Sequence, residues 1–320
     1  MNTMSEIHAK AQGYTFEKIN CLTCDHTESN YFLSGQDDLT SKDGNFVYVK
    51  CPQCQLVYQN PRIVIDQIKD YYDSEYIAHR KKKDWGVLQP FYERAMNKHD
   101  NDKVALIERY VELNKHSNVL DVGCAVGTFL NALRKKYDCQ IHGVDFKSDL
   151  NFPDFDKINF KCGLFYEQDF ANTKFDLITM WHFLEHCYEP KKSLLKARDI
   201  LSDNGRLIIE VPRLDSLTFK VFKNKWPGVQ APQHTVLFDK NTFLNLAEDA
   251  GYEVVEYLPY GAFPAYFYIF AGSWFKFVKR KFDLDKAIAP YFMGQLALTP
   301  LLLMQKKLNL AMQTAVLRKR

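Results

Sequence analysis

Apolar and polar positions follow two different regimes along this chain. From about residue 105 onward, short apolar runs bounded by turn residues alternate with segments of helical period. That alternation predicts an α/β fold built on a parallel sheet. The runs place strands at residues 119–122, 141–144, 157–162, 175–180, 206–211 and 252–257, with helices over 128–137, 190–201 and 241–250. Gly251 ends the last helix, as a residue free to take a left-handed backbone does. Upstream, residues 91–113 read as a long helix feeding the first strand. Residues 63–76 read as a helix with Ile65, Ile68 and Tyr72 on one face. Before residue 60 no long period holds. Residues 21–60 are turn-rich, with short strands between 31 and 49 and a turn at Lys42-Asp43-Gly44. The pattern therefore divides the chain into a compact unit (1–60), a helical connector (61–104) and a large α/β domain (105–320).

The most informative chemistry lies where the first strand meets its helix, at Asn118-Val-Leu-Asp-Val-Gly-Cys-Ala-Val-Gly-Thr128. Asp121 sits at the strand's end, and Gly123 and Gly127 let the backbone pass close to a ligand that a Cβ would obstruct. The next strand ends in Asp145, about 20 residues on, where nucleotide-binding α/β folds place a carboxylate on ribose hydroxyls. A dinucleotide's pyrophosphate needs Gly-x-Gly-x-x-Gly and bare amides. Here Cys124 replaces the second glycine, and an acid at the strand end repels phosphate and suits a ligand carrying an ammonium group. An NAD-dependent oxidoreductase is excluded on that ground.

This segment resembles the first motif of class I S-adenosylmethionine-dependent methyltransferases, and Asp145 resembles their ribose-binding acid. The resemblance covers roughly residues 105–258 plus the last strand. It implies a doubly wound, seven-stranded Rossmann-like sheet with S-adenosylmethionine as donor. Asp121, Gly123 and Gly127 would hold the methionine part, Asp145 the ribose, and Gly163 and Leu164 the adenine edge. Trp181, at the end of the fourth strand, joins the donor-binding set. Enzymes of this class add an antiparallel seventh strand, for which residues 313–318 are the better candidate. Residues 259–310 then become a helical insertion over the substrate side. The insertion is aromatic over 261–277 and uncharged over 287–304, with Lys279-Arg280-Lys281 and Lys306-Lys307 beside these stretches. Its length alone would suit a membrane span, but Pro290, Gly294 and Pro300 interrupt it. A helical hairpin capping the site is expected instead, either touching a membrane surface peripherally or forming a buried pair or dimer face.

The 320 residues have a formal net charge of +3, too near balance to argue for nucleic acid, and none is expected as a partner. The first ten residues lack the apolar core of a secretory signal, so a cytoplasmic protein, with the inner face of a membrane as its alternative location, is expected. In that compartment eight cysteines read as thiols or metal ligands. Cys21-Leu-Thr-Cys24 and Cys51-Pro-Gln-Cys54 are paired knuckles that together make a closed, tetrahedral, structural zinc site, and the unit around them is ribbon-like. The other four cysteines are isolated and read as small apolar fillers. Arg80-Lys-Lys-Lys83 reads as a solvated connector.

Two histidine segments complete the picture. Met180-Trp-His-Phe-Leu-Glu-His186 resembles the segment after the fourth strand of small-molecule methyltransferases. On a helix His182 and His186 would share a face; His182 is expected to face the ligand and His186 to serve a hydrogen-bond network. Pro232-Gln-His234 resembles the Pro-x-His segment of zinc-containing methyltransferases of sugar and polysaccharide pathways. His234 or His182 is the candidate base, because a neutral imidazole accepts a proton near pH 7 without large tuning; His234 bonding a loop carbonyl is the competing reading. The expected activity is methyl transfer to a small-molecule or lipid-linked acceptor such as a sugar or glycan precursor. The alternative is a zinc-containing binding or regulatory protein with a vestigial methyltransferase domain.

Overall fold

A computed structural model of the chain describes residues 9–39, 41–72, 89–147, 155–278 and 284–320. The basic run at 80–83 and the last four residues of the helix expected over 63–76 lie outside them.

The large sheet has seven strands: β6 (Asn118–Val122), β7 (Gln140–Asp145), β8 (Asn159–Cys162), β9 (Phe175–Trp181), β10 (Leu201–Pro212), β12 (Tyr252–Leu258) and β13 (Met312–Lys319). Their spatial order is β12-β13-β10-β9-β6-β7-β8. β8, β7, β6, β9 and β10 run parallel, while β13 is antiparallel to both β10 and β12. Both faces are covered, so the central strands read as unbroken apolar runs. Leu120, Val122, Ile178 and Met180 enter one buried cluster, and Val119, Ile141 and Leu177 enter another. Helix α2 (Gln89–Ile107) precedes β6, and α3 (Thr128–Tyr137), α4 (Pro190–Ile200) and α6 (Lys240–Asp249) lie between later strands. α3 and α6 start where expected or within a residue; α6 opens on a capping box between Asp239 and Thr242.

Three boundaries differ most from the sequence pattern. α2 ends at Ile107, not Leu113. β10 begins directly after α4, at Leu201, because Leu201 pairs with Phe175 across a bulge that the apolar run at 206–211 does not betray. The helix expected after Ile63 is only α1 (Ile65–Ile68) and a further 3₁₀ turn to Tyr71.

The N-terminal unit is a small antiparallel sheet: β2 (Asn30–Gly35), β3 (Phe46–Lys50), β4 (Val57–Gln59) and, from far along the chain, β11 (Val236–Leu237). A separate pair joins β1 (Phe16–Glu17) to β5 (Arg62–Ile63). β11 carried no strand signal, since two residues show no period. Its pairing with β4 stitches the small sheet to the segment just after His234. The insertion between β12 and β13 is helical: α7 (Ala265–Ser273), a π-helical turn (Trp274–Val278), α8 (Leu284–Ala297) and α9 (Thr299–Leu303). The short α5 (Leu217–Phe222) packs against α7. Among the described residues no helix is long and apolar enough to cross a membrane.

Candidate active site

The C-terminal ends of β6, β7, β8 and β9 open into one cavity of about 1390 Å³, which takes in Asp121, Gly123, Asp145, Gly163, Leu164, Trp181, His182 and His234. This is the crevice where open parallel sheets bind ligands. Gly127 does not line it; with φ of 73° it sits at the entry to α3. At Gly123, φ is 76° and a Cβ would meet the Phe183 ring at 3.0 Å. Its amide donates to Val144 O at 2.8 Å, which ties the glycine turn to the neighbouring strand.

Asp121 is buried, and its Oδ1 accepts from Thr179 Oγ1 at 2.7 Å. Burial pushes its carboxyl up to about 7, against the opposing pull of Lys103. Asp145 is also buried; its Oδ2 accepts from Ala125 N at 3.0 Å and its Oδ1 from Lys147 N at 3.2 Å. Burial raises this carboxyl as well. Lys103 was not visible in the sequence as a site residue, being one lysine on a helix rich in charge. α2 nevertheless buries it on the cavity wall, with Nζ 5.3 Å from the Trp181 ring and 5.5 Å from that of Phe129. Cys124 fills space against Gly143, where an added Cβ would stand 2.7 Å from its sulfur.

The opposite half of the cavity is built from distant segments. His182 follows β9 at φ 54°, so it and His186 share no helix; a 3₁₀ turn spans Leu184–His186. Its Nδ1 lies 3.4 Å from Glu185 Oε1 and its Nε2 3.2 Å from Glu210 Oε1. Burial works against the imidazolium, but the two carboxylates prevail and lift the group to about 9. Glu210 in turn accepts from the amides of Ala262 (2.6 Å) and Phe263 (3.0 Å) and so fastens the start of the insertion. Gly261 permits this approach: a Cβ there would stand 2.5 Å from the carboxyl carbon. From the insertion, Phe263, Phe267, Tyr268, Tyr291 and Phe292 line the cavity, with the Phe263 ring edge-on to His182 at 4.9 Å.

His234 is buried, and its Nδ1 donates to Gly228 O at 2.8 Å. The carbonyl-bonding reading thus describes one side of the ring. Burial drives the imidazole down to about 3, despite that hydrogen bond. His186 is driven to about 3 by burial and by the neighbouring His234. Its Nδ1 bonds Gln233 O at 2.9 Å and meets the Tyr72 hydroxyl at 2.9 Å, the expected hydrogen-bond network although no helix N-terminus hosts it. The small sheet holds this loop from below. Tyr48 Oη donates to His234 O at 2.6 Å, and Gln59 Nε2 to Pro232 O and His234 O at 2.9 and 2.8 Å.

The four knuckle sulfurs lie within 4.8 Å of one another, with Cys21 and Cys54 at 3.3 Å and Cys24 and Cys51 at 3.6 Å. The two turns repeat one geometry. Cys21 N and Cys51 N donate to His26 O and Leu56 O, while Asp25 and Gln55 take left-handed backbones and bond back to the cysteine carbonyls. A closed four-sulfur set of this kind fits zinc.

A family model described as a methyltransferase domain matches residues 92–257, just over half of the chain. The sphingolipid C9-methyltransferase of Candida albicans is similar at 23% identity over 219 residues, covering 59% of this chain and 42% of that protein. The chain thus spans less than half the length of that curated relative. Similar solved structures include Haemonchus contortus phosphoethanolamine N-methyltransferase 2 in complex with S-adenosyl-L-methionine (15% identity, TM-score 0.47, 68% of this chain and 52% of that one). Another is a putative sarcosine dimethylglycine methyltransferase from Galdieria sulphuraria (16%, 0.46, 70% and 86%). The chain belongs to the methyltransferase domain family, and its seven-stranded sheet is the Rossmann-like sheet of S-adenosylmethionine-dependent methyltransferases.

Proposed function

We propose that the protein transfers the methyl group of S-adenosylmethionine to a small-molecule or lipid-linked acceptor, such as a sugar or glycan precursor. The observation that carries this reading is the pair of buried carboxylates, Asp121 and Asp145, at adjacent strand ends of one cavity. Asp121 would take the donor's ammonium and Lys103 its carboxylate. Each Asp145 oxygen accepts a backbone amide, and carboxylate oxygens have capacity for more, so it would accept the ribose hydroxyls. Gly163 and Leu164 would border the adenine and Trp181 would wall the donor. Bound there, the donor supplies an electrophilic methyl on sulfur; the chain's part is to align the acceptor and exclude water.

The acceptor would lie between His182, His234 and the aromatic insertion. His182, held between two carboxylates, is charged at pH 7 and has no lone pair with which to take a proton. His234 is neutral but a weak base. Both therefore serve as polar contacts that orient the acceptor rather than as strong bases. The lipid-linked option draws on the insertion's outer surface. Met293, Leu296 and Leu303 are 72, 77 and 79% exposed, close in sequence to Lys306 and Lys307. The cysteine cluster would carry a structural zinc ion.

Calorimetry with S-adenosylmethionine tests the central reading: micromolar binding that Asp145→Ala weakens on the order of 100-fold supports it, and no binding by folded, zinc-loaded protein refutes it. Sedimentation with anionic vesicles tests the membrane contact. Leu296→Asp with Leu303→Asp should cut the bound fraction roughly tenfold; wild-type protein that never sediments removes this option.

A further inference from the structure

Behind the acceptor wall lies a second group of metal-ligating side chains, distinct from the cysteines. Glu185, His186 and His234 each offer a ligand atom within 4.8 Å of the others. The two imidazole rings stand edge to face with centroids 4.5 Å apart. Both Nδ1 atoms face main-chain carbonyls, Gly228 O for His234 and Gln233 O for His186, at 2.8 and 2.9 Å. A carbonyl only accepts, so each Nδ1 carries the proton and each Nε2 presents a lone pair. Metal-ligating histidines are oriented in this way by their outer partners.

Glu185 is the second, independent observation. It is 1% exposed, and among the described residues neither carboxylate oxygen accepts a hydrogen bond; Oε1 pairs with His182 Nδ1 at 3.4 Å. The His182 imidazolium meets one oxygen of this buried carboxylate; the other, Oε2, is costly to bury unless a second cation meets it. The backbone fixes all three ligands. Thr235 N and Oγ1 donate to Glu185 O (2.8 and 3.4 Å), pinning the 3₁₀ turn against the residue after His234.

We propose that Glu185, His186 and His234 form a binding site for one divalent first-row metal ion of the zinc, cobalt or manganese kind. Two imidazoles and one carboxylate suit such ions and leave coordination positions open. His186 and His234 line the cavity while Glu185 does not, so the open positions face the space assigned to the acceptor. An acceptor hydroxyl or carbonyl oxygen would complete the coordination. That last assignment rests on the methyltransferase reading, whereas the metal site does not.

The test counts metal and needs no methyl donor. Full-length protein dialysed against zinc, then against metal-free buffer, should retain two equivalents by plasma mass spectrometry. Glu185→Gln and His234→Asn should each retain one, and Cys51→Ser should lose the other. Cobalt reconstitution of wild type sharpens the count. One bound cobalt should show sulfur-to-metal charge-transfer absorption, and the second should show only weak bands without sulfur character. Wild type that holds one equivalent or fewer, or whose every bound cobalt shows the sulfur band, overturns the proposal even if no variant folds. Two equivalents retained by Glu185→Gln and His234→Asn overturn it too. Failure to bind S-adenosylmethionine would leave these counts unmoved and would strike only the functional reading.

Discussion

The two halves of the cavity are built in opposite ways. The proposed donor half is made of strand ends and the turns that follow them, largely within residues 121–181, plus one buried lysine from α2. Its polar groups are set by parallel-strand register: Asp121 lies opposite Gly143, and Val122 opposite Val144, one residue before Asp145. The acceptor half gathers residues from near 65, 185, 234, 263 and 291, and its histidine loop is held by Tyr48 and Gln59. The first half is held mainly by its own strands, as Asp121 is by Thr179. The second depends on side chains well outside the cavity.

The largest effect should come from the donor half. Asp145→Ala removes the acceptor of two backbone amides and, in the proposed function, of the ribose hydroxyls. At about 1.5–3 kcal/mol per charged hydrogen bond, donor affinity should fall on the order of 100-fold by calorimetry. Acceptor-side metal content should stay unchanged. Equal loss on both sides would mean that the halves are not separable.

His234→Ala should act in reverse, lowering turnover on the order of tenfold or more while donor affinity moves less than about twofold. Unchanged turnover would remove His234 from the acceptor site.

Asp121 offers a pH test of the donor half alone. Its folded-state carboxyl lies near 7, above the usual carboxylate range, so the free protein binds a proton there that the unfolded chain has released. Its contribution to stability is therefore full at acid pH and is lost as pH rises towards 7. Donor binding has the opposite sign, because an ammonium group needs the ionised form. Affinity should weaken below pH 7 by up to about tenfold per unit, and a flat affinity between pH 6 and 8 would detach Asp121 from the ammonium.

The smallest effect expected is that of Tyr48→Phe. It removes a buried donor to Val229 O and His234 O and should cost about 1–3 kcal/mol in chemical denaturation. Turnover should fall more than donor affinity if the small sheet positions the histidine loop. A purely structural Tyr48 would leave the ratio of the two unchanged.

The sequence by itself determined the large sheet, the donor side and the cysteine knuckles. Each is local: an apolar run, a glycine turn with an acid beside it, or two thiols on one turn carries its meaning within a dozen residues. The seventh strand and its insertion were placed through the methyltransferase resemblance, which calls for one more strand and leaves residues 313–318 as its better candidate. Tertiary structure alone decided the rest. The two-residue β11 has no periodicity, and Lys103 looks like any helical lysine until α2 lays it on Trp181. The charge states of the histidines depend on partners far away in sequence, Glu210 for His182 and burial for His234. Side-chain chemistry set by long-range neighbours and desolvation leaves no local trace, which is why the donor half could be read along the chain and the acceptor half had to be seen folded.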